Sequence, residues 1–78
     1  MENIKIKLEV DCRGLKCPMP IIQTRKAIEK LNSGDILKTI STDPGSINDI
    51  NAWAKRTGNK LLNEEEQHGE FIFFICKK

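Results

Sequence analysis

The chain has 78 residues with 13 Lys and Arg against 11 Asp and Glu, a formal net charge of +2, and is 38% hydrophobic and 31% charged. That balance argues against a disordered chain, and its interspersed charges are too weak to argue for nucleic-acid binding through clustered phosphate contacts. A chain of this length supports one thin core and no deep substrate cleft, so residues 1–78 are read as a single domain with its active group at the surface.

The first ten residues, MENIKIKLEV, alternate charged and apolar side chains and lack the apolar core of a signal peptide. Ile4, Ile6, Leu8 and Val10 carry the period of a half-buried strand. A loop from Asp11 to Lys16 follows, with Gly14 supplying backbone freedom. From Pro18 the period changes to that of a helix: Ile21, Thr24, Ile28 and Leu31 lie three or four apart, and Gly34 is the expected stop. A second strand is predicted over Ile36 to Ser41, and Pro44-Gly45 punctuates the turn after it. Ser46 and Asp49 have the Ser-x-x-acid spacing of a helix start, Ile47, Ile50 and Ala54 form the second apolar stripe, and Gly58 ends it. The remainder reads as a hairpin turning near His68-Gly69, its last strand apolar on both faces and therefore inside the sheet. That run, FIFFIC, is far too short to cross a bilayer as a helix, and no membrane partner is expected.

The order strand, helix, strand, helix, strand, strand predicts an α/β fold, a two-layer α/β sandwich. Its first two strands run parallel through a crossover, and both helices cover one face of a mixed four-stranded sheet.

The segment DCRGLKCPMP, Asp11 to Pro20, concentrates the chemistry. Proline suits the first turn of a helix and pushes the residue before it out of helical geometry. The prediction is Cys17 at the N-cap, with Pro18 and Pro20 inside the first turn. A thiol there faces the positive end of the helix dipole, with Arg13 and Lys16 nearby, and is expected to ionise readily and act as a nucleophile. The competing reading makes Cys17 a small buried hydrophobe beside a helix-start device.

The other cysteines carry less signal. Three is an odd number, so full pairing leaves one over, and a reducing cytosol keeps thiols free unless they do redox or transfer chemistry. A cytoplasmic protein is expected. Cys12 is read as packing at the strand end, with a resolving role as the alternative, and Cys76 as core. Cys12, Cys17, Cys76 and His68 offer zinc-compatible atoms, but His68 and Cys76 form no matching close pair, so no metal is expected. Trp53 is read as a core-edge anchor, and Lys55 to Lys60 as charge suited to a helix C-terminus, with docking of an acidic partner as the alternative. No Ser/His/Asp set and no Gly-rich phosphate loop is present.

DCRGLKCPMP resembles the signature Asp-x-Arg-Gly-x-x-Cys-Pro-x-Pro of the TusA/SirA-like sulfur carrier family, and TDPGS followed by Asp49-Ile50 resembles that family's second segment. The resemblance implies the same sandwich, with Cys17 accepting sulfane sulfur as a persulfide and handing it to a partner. It implies Cys17 as carrier, Pro18 and Pro20 shaping the helix start, and Asp11, Arg13 and Gly14 forming the upstream loop, with no cofactor. The expected partners are a sulfur donor protein of the cysteine desulfurase or rhodanese type and an acceptor protein. Lys16, Arg25 and Lys26 are positioned to steer acidic partner surfaces, a solvated helix face being the plainer reading of the last two. Met19 stands where some relatives carry an acidic residue. Two other classes remain open: a Cys12/Cys17 redox switch, and a non-catalytic protein- or RNA-interaction module.

Overall fold

In β1 (Ile6–Cys12) alternate side chains turn inward: Leu8 and Val10 are half-buried and Cys12 is fully buried. This is the predicted period-two strand, seen in a computed structural model that describes residues 5–78; Ile4, the expected strand start, lies outside the described residues. β1 also runs further than expected, through Asp11 and Cys12, because these two residues continue the parallel ladder opposite Ile40 and Ser41.

After β1 come α1 (Met19–Ile28), β2 (Ile36–Ser41), α2 (Gly45–Thr57), β3 (Lys60–Gln67) and β4 (Glu70–Cys76). The sheet order is β1-β2-β4-β3, with β1 and β2 parallel and β4 antiparallel to both its neighbours. β4 is therefore interior, as its two-faced apolar sequence requires. The predicted mixed four-stranded sandwich is the observed fold.

The register explains the core. Leu37, Thr39 and Ser41 of β2 stand opposite Ile75, Phe73 and Phe71 of β4, and this row faces the helices. Ala27, Ile28 and Leu31 from the α1 side, with Ile50, Trp53 and Ala54 from α2, close over it. Leu37, Ile50, Phe73 and Ile75 have zero exposure, and burying each such side chain contributes roughly 1.5–3 kcal/mol. Trp53, at 4% exposure, is part of this core. Cys76 departs from expectation: its neighbour Ile75 takes the core side, so Cys76 lies half-buried on the opposite face.

α1 ends at Ile28, well before Gly34. Its last turn tightens into three-residue hydrogen bonds, Lys30 N–H to Ala27 O and Leu31 N–H to Ile28 O, both 3.1 Å. That tightening turns Leu31 into the core although it lies beyond the helix. α2 ends where predicted: Gly58 has φ +82°, a left-handed cap conformation, and its N–H bonds to Ala54 O. His68 and Gly69, at φ 52° and 80°, form the expected hairpin turn.

One buried polar contact ties the first helix to the sheet. Thr24 Oγ1 donates to Pro20 O at 2.7 Å and lies 3.2 Å from Thr39 Oγ1, both threonines having zero exposure. Since the Thr24 proton is committed to Pro20, Thr39 donates to Thr24. Thr24→Val is expected to cost about 1–3 kcal/mol by leaving the Thr39 hydroxyl buried without its acceptor. Thr24→Val/Thr39→Val should recover part of that loss in urea unfolding; two additive losses would contradict the pairing.

Candidate functional site

The loop after β1 is fastened to the loop after β2. Gly14, at φ +82°, turns its N–H onto Thr42 Oγ1 at 2.9 Å, and Leu15 N–H closes on Cys12 O at 3.1 Å. Asp11 and Arg13 form a two-pronged pair: the Arg13 backbone N–H and Nε reach Asp11 Oδ1, at 3.0 and 2.9 Å, and Nη2 reaches Oδ2 at 2.9 Å. The Arg13 hydrogen bonds hold the Asp11 carboxyl at about 2, well below the carboxylate range. Arg13 also touches Glu70 at 3.4 Å.

Cys17 is held at two points. Its backbone N–H donates to Asp43 Oδ2 at 2.9 Å, and its Sγ donates to Asp49 Oδ2 at 2.9 Å. It is the exposed cysteine of the three, while Cys12 is buried and Cys76 half-buried. Met19 N–H bonds to Lys16 O at 2.8 Å across the Cys17-Pro18 step, whose peptide bond is cis. This turn corrects the expected cap. Pro18, at φ −97° and ψ 14°, occupies the N-cap, Pro20 lies in the first turn, and Cys17 stands one residue outside the helix with no capping bond. The prolines still begin the helix; the cysteine side chain is free to face α2.

The Ser46-x-x-Asp49 spacing is not a capping box either. The N-cap of α2 is Pro44, without a side-chain bond. Ser46 is buried and donates to Asp43 O at 2.6 Å, and Asp49, three residues on, faces the thiol. Gly45 makes room: a Cβ there would lie 3.1 Å from Asp43 Oδ2 and 3.6 Å from Cys17 Cβ.

The electrostatics therefore run opposite to expectation. The Cys17 thiol is pushed up, first by its hydrogen bond to Asp49, then by desolvation and by the negative charges of Asp49 and Asp43. A helix end offers roughly half an elementary charge spread over its N–H groups; a full carboxylate at hydrogen-bond distance outweighs it. Arg13 does not counter this, because its guanidinium pairs with Asp11 and Glu70. Lys16 is exposed and makes no ion pair among the described residues. These surroundings favour the protonated thiol over the thiolate.

Beside the sulfur lies an open groove of about 320 Å³ lined by Cys17, Pro18, Ile21, Arg25, Asp49, Ala52 and Arg56. The structure thus joins Cys17, Pro18 and Arg25 in one place and adds Asp49 and Arg56 from α2. Lys16 and Lys26 are exposed outside it. Asp11, Arg13 and Gly14 shape the loop, and Pro20 is buried beneath it. Cys12 packs, its Sγ directed to Pro20 O at 3.9 Å, and burial raises its thiol. Among the described residues no three His, Cys, Asp or Glu side chains converge as metal ligands. Asp43 and Asp49 are site residues that reading the sequence alone did not assign, and Arg56 entered only within the Lys55 to Lys60 patch. The available signal was the spacing Asp49, Ala52, Arg56, one face of α2.

The chain matches the family model described as Sulfurtransferase TusA over residues 8–77. It is 46% identical to the sulfur carrier protein TusA of Allochromatium vinosum over 69 residues, 88% of this chain and 91% of that protein. A putative sulfur carrier protein of Aquifex aeolicus is also 46% identical, over 99% of this chain but 39% of its own greater length. Among solved structures, a SirA-like protein from Desulfitobacterium hafniense superposes with a TM-score of 0.80 at 22% identity, over 88% of this chain and 95% of that one. At that identity the likeness concerns the fold.

Asp49→Asn removes the main cause of the raised thiol and should bring its ionisation to lower pH. A shift of one unit makes alkylation by iodoacetamide roughly tenfold faster at a pH below the inflection. The pH–rate profile of the Cys17 peptide checks this; an unchanged profile would refute the role given to Asp49.

Proposed function

The chain belongs to the TusA sulfurtransferase family, and from that membership we propose that it is a sulfur carrier that takes sulfane sulfur as a persulfide on Cys17 and passes it to a partner protein. The observation that carries the residue assignment is that Cys17 is the exposed cysteine, fixed at its backbone by Asp43 and at its sulfur by Asp49. A domain this small leaves the sulfur accessible to a donor and then to an acceptor.

In the exchange, Cys17 Sγ bonds to the outer sulfur of the donor's persulfide and the donor's S–S bond breaks. The electron pair stays on the donor's inner sulfur, which takes the Cys17 proton. The products are the Cys17 persulfide and the donor thiol, with no external oxidant or reductant and no cofactor. The Asp49 hydrogen bond keeps the empty thiol protonated and hence a poor target for stray oxidants until a donor docks.

The proposed donor is a protein of the cysteine desulfurase or rhodanese type, and the acceptor a second protein. Docking is proposed through Lys16, Arg25 and Lys26, all exposed, around Met19, which is 38% exposed beside the thiol. Asp11, Arg13, Gly14, Pro18 and Pro20 are proposed to hold the loop shape that presents Cys17. A reducing, cytoplasmic setting suits three free cysteines; no helix among the described residues is long and apolar enough to cross a membrane. A Cys12/Cys17 redox switch draws less support, because Cys12 has zero exposure and points to Pro20 O.

Reduced protein incubated with a cysteine desulfurase plus cysteine, or with a rhodanese plus thiosulfate, should gain the mass of one sulfur on the Cys17 peptide. Reductant should remove it, and Cys17→Ala should not acquire it. Sulfur on Cys12 or Cys76 instead, or none from either donor, would count against the proposal.

A further inference from the structure

Arg25 and Arg56 reach the same groove from different helices, Arg25 from α1 and Arg56 from α2. Unlike Arg13, neither makes an ion pair among the described residues. They line it together with Ile21, Ala52, Cys17 and Asp49. Two guanidinium side chains without an ion pair among the described residues, in a groove that also holds apolar side chains and the Cys17 sulfur, are suited to an anion.

We propose that this groove seats the loaded form: the outer sulfur of the Cys17 persulfide rests there as an anion against Arg25 and Arg56, whereas the empty thiol turns to Asp49. The inference rests on the reading of Cys17 as a persulfide carrier and deepens it by assigning the cargo a binding site.

The chemistry of the two states drives the change. In the empty protein Sγ has a proton to donate, and Asp49 Oδ2 accepts it at 2.9 Å. Once Sγ is bonded to a second sulfur it has no proton, and the contact with Asp49 becomes acceptor against acceptor. The outer sulfur lies about 2.05 Å beyond Sγ. A hydropersulfide ionises more readily than the parent thiol, so this end carries negative charge. Asp49 and Asp43 repel it, and Arg25 and Arg56 attract it. Guanidinium is weakly hydrated, which suits a large, polarisable sulfur anion.

The test loads Cys17 with inorganic polysulfide, a step that needs no donor protein: the Cys17 thiolate takes one sulfur and the polysulfide leaves one atom shorter. The rate at which iodoacetamide traps the outer sulfur is then followed against pH by mass spectrometry. In Arg25→Gln/Arg56→Gln the persulfide should ionise about one unit higher than in the wild type, with roughly tenfold less anion at a pH below its inflection. Each single variant should move part of the way, and Arg25→Lys/Arg56→Lys should restore most of the effect. Circular dichroism establishes that each variant is folded, and the single variants decide the matter if the double one is not. An unchanged persulfide profile would overturn the cargo site. Unchanged ionisation with slower loading from a donor protein would instead assign these arginines to docking. Failure of the carrier reading is distinct: it appears as absence of sulfur from protein donors in the wild type, whatever the polysulfide-loaded arginine variants do.

Discussion

Two carboxylates from the segment that follows β2 hold the exposed cysteine, Cys17. Asp43 takes the backbone N–H of Cys17 and Asp49 takes its thiol, each at 2.9 Å. These bonds join the loop before α1 to the start of α2, and they require β1 and β2 to be parallel neighbours so that both loops leave the same end of the sheet. The raised thiol and the turn of the sulfur toward α2 both follow from that attachment. A thiol that merely crowned α1 would feel chiefly the positive helix end and would ionise early. The carboxylate contact reverses the sign.

The reversal is compatible with a carrier because the two states of its sulfur differ in acidity. A free thiolate exposed on a small domain reacts with oxidants as readily as with partners. A thiol hydrogen-bonded to a carboxylate does so less, and its reactivity awaits a protein that alters the site. In the proposed loaded form the same negative surroundings leave the outer sulfur without a partner at Asp49, and Arg25 and Arg56 line the groove beside Cys17. In the proposed exchange the thiol proton moves to the donor's inner sulfur. Its contribution is geometric and electrostatic.

Much of the fold can be read from local pattern because local pattern causes it. The alternation in β1, the two-faced apolar run in β4, the His68-Gly69 turn and the Gly58 stop each reflect backbone or burial demands that act within a few residues. Pro18 and Pro20 also announce a helix start correctly. Where reading fails, a tertiary contact has outcompeted a local one. Asp11 and Cys12 look like loop until the ladder to Ile40 and Ser41 extends the strand. Cys17 has the credentials of an N-cap, yet the turn places Pro18 there. Ser46 and Asp49 have capping-box spacing, yet Asp49 is drawn to a sulfur 32 positions away in sequence. The basic residues of the signature loop suggest an activated thiol, but Arg13 is bound to Asp11, two residues away, and to Glu70. The sequence shows which charges exist; only the packed loops show which ones meet.

In the sulfur-free protein Cys17 should be a neutral thiol bonded to Asp49. The most direct test is a pH titration of the Cys17 ¹³Cβ resonance in reduced, sulfur-free wild-type protein, followed together with the Asp49 carboxyl carbon. The Cys17 inflection is expected above the ordinary thiol range, with the Asp49 carboxyl carbon shifting at the same pH. An inflection below that range, or one that Asp49 does not register, would contradict it.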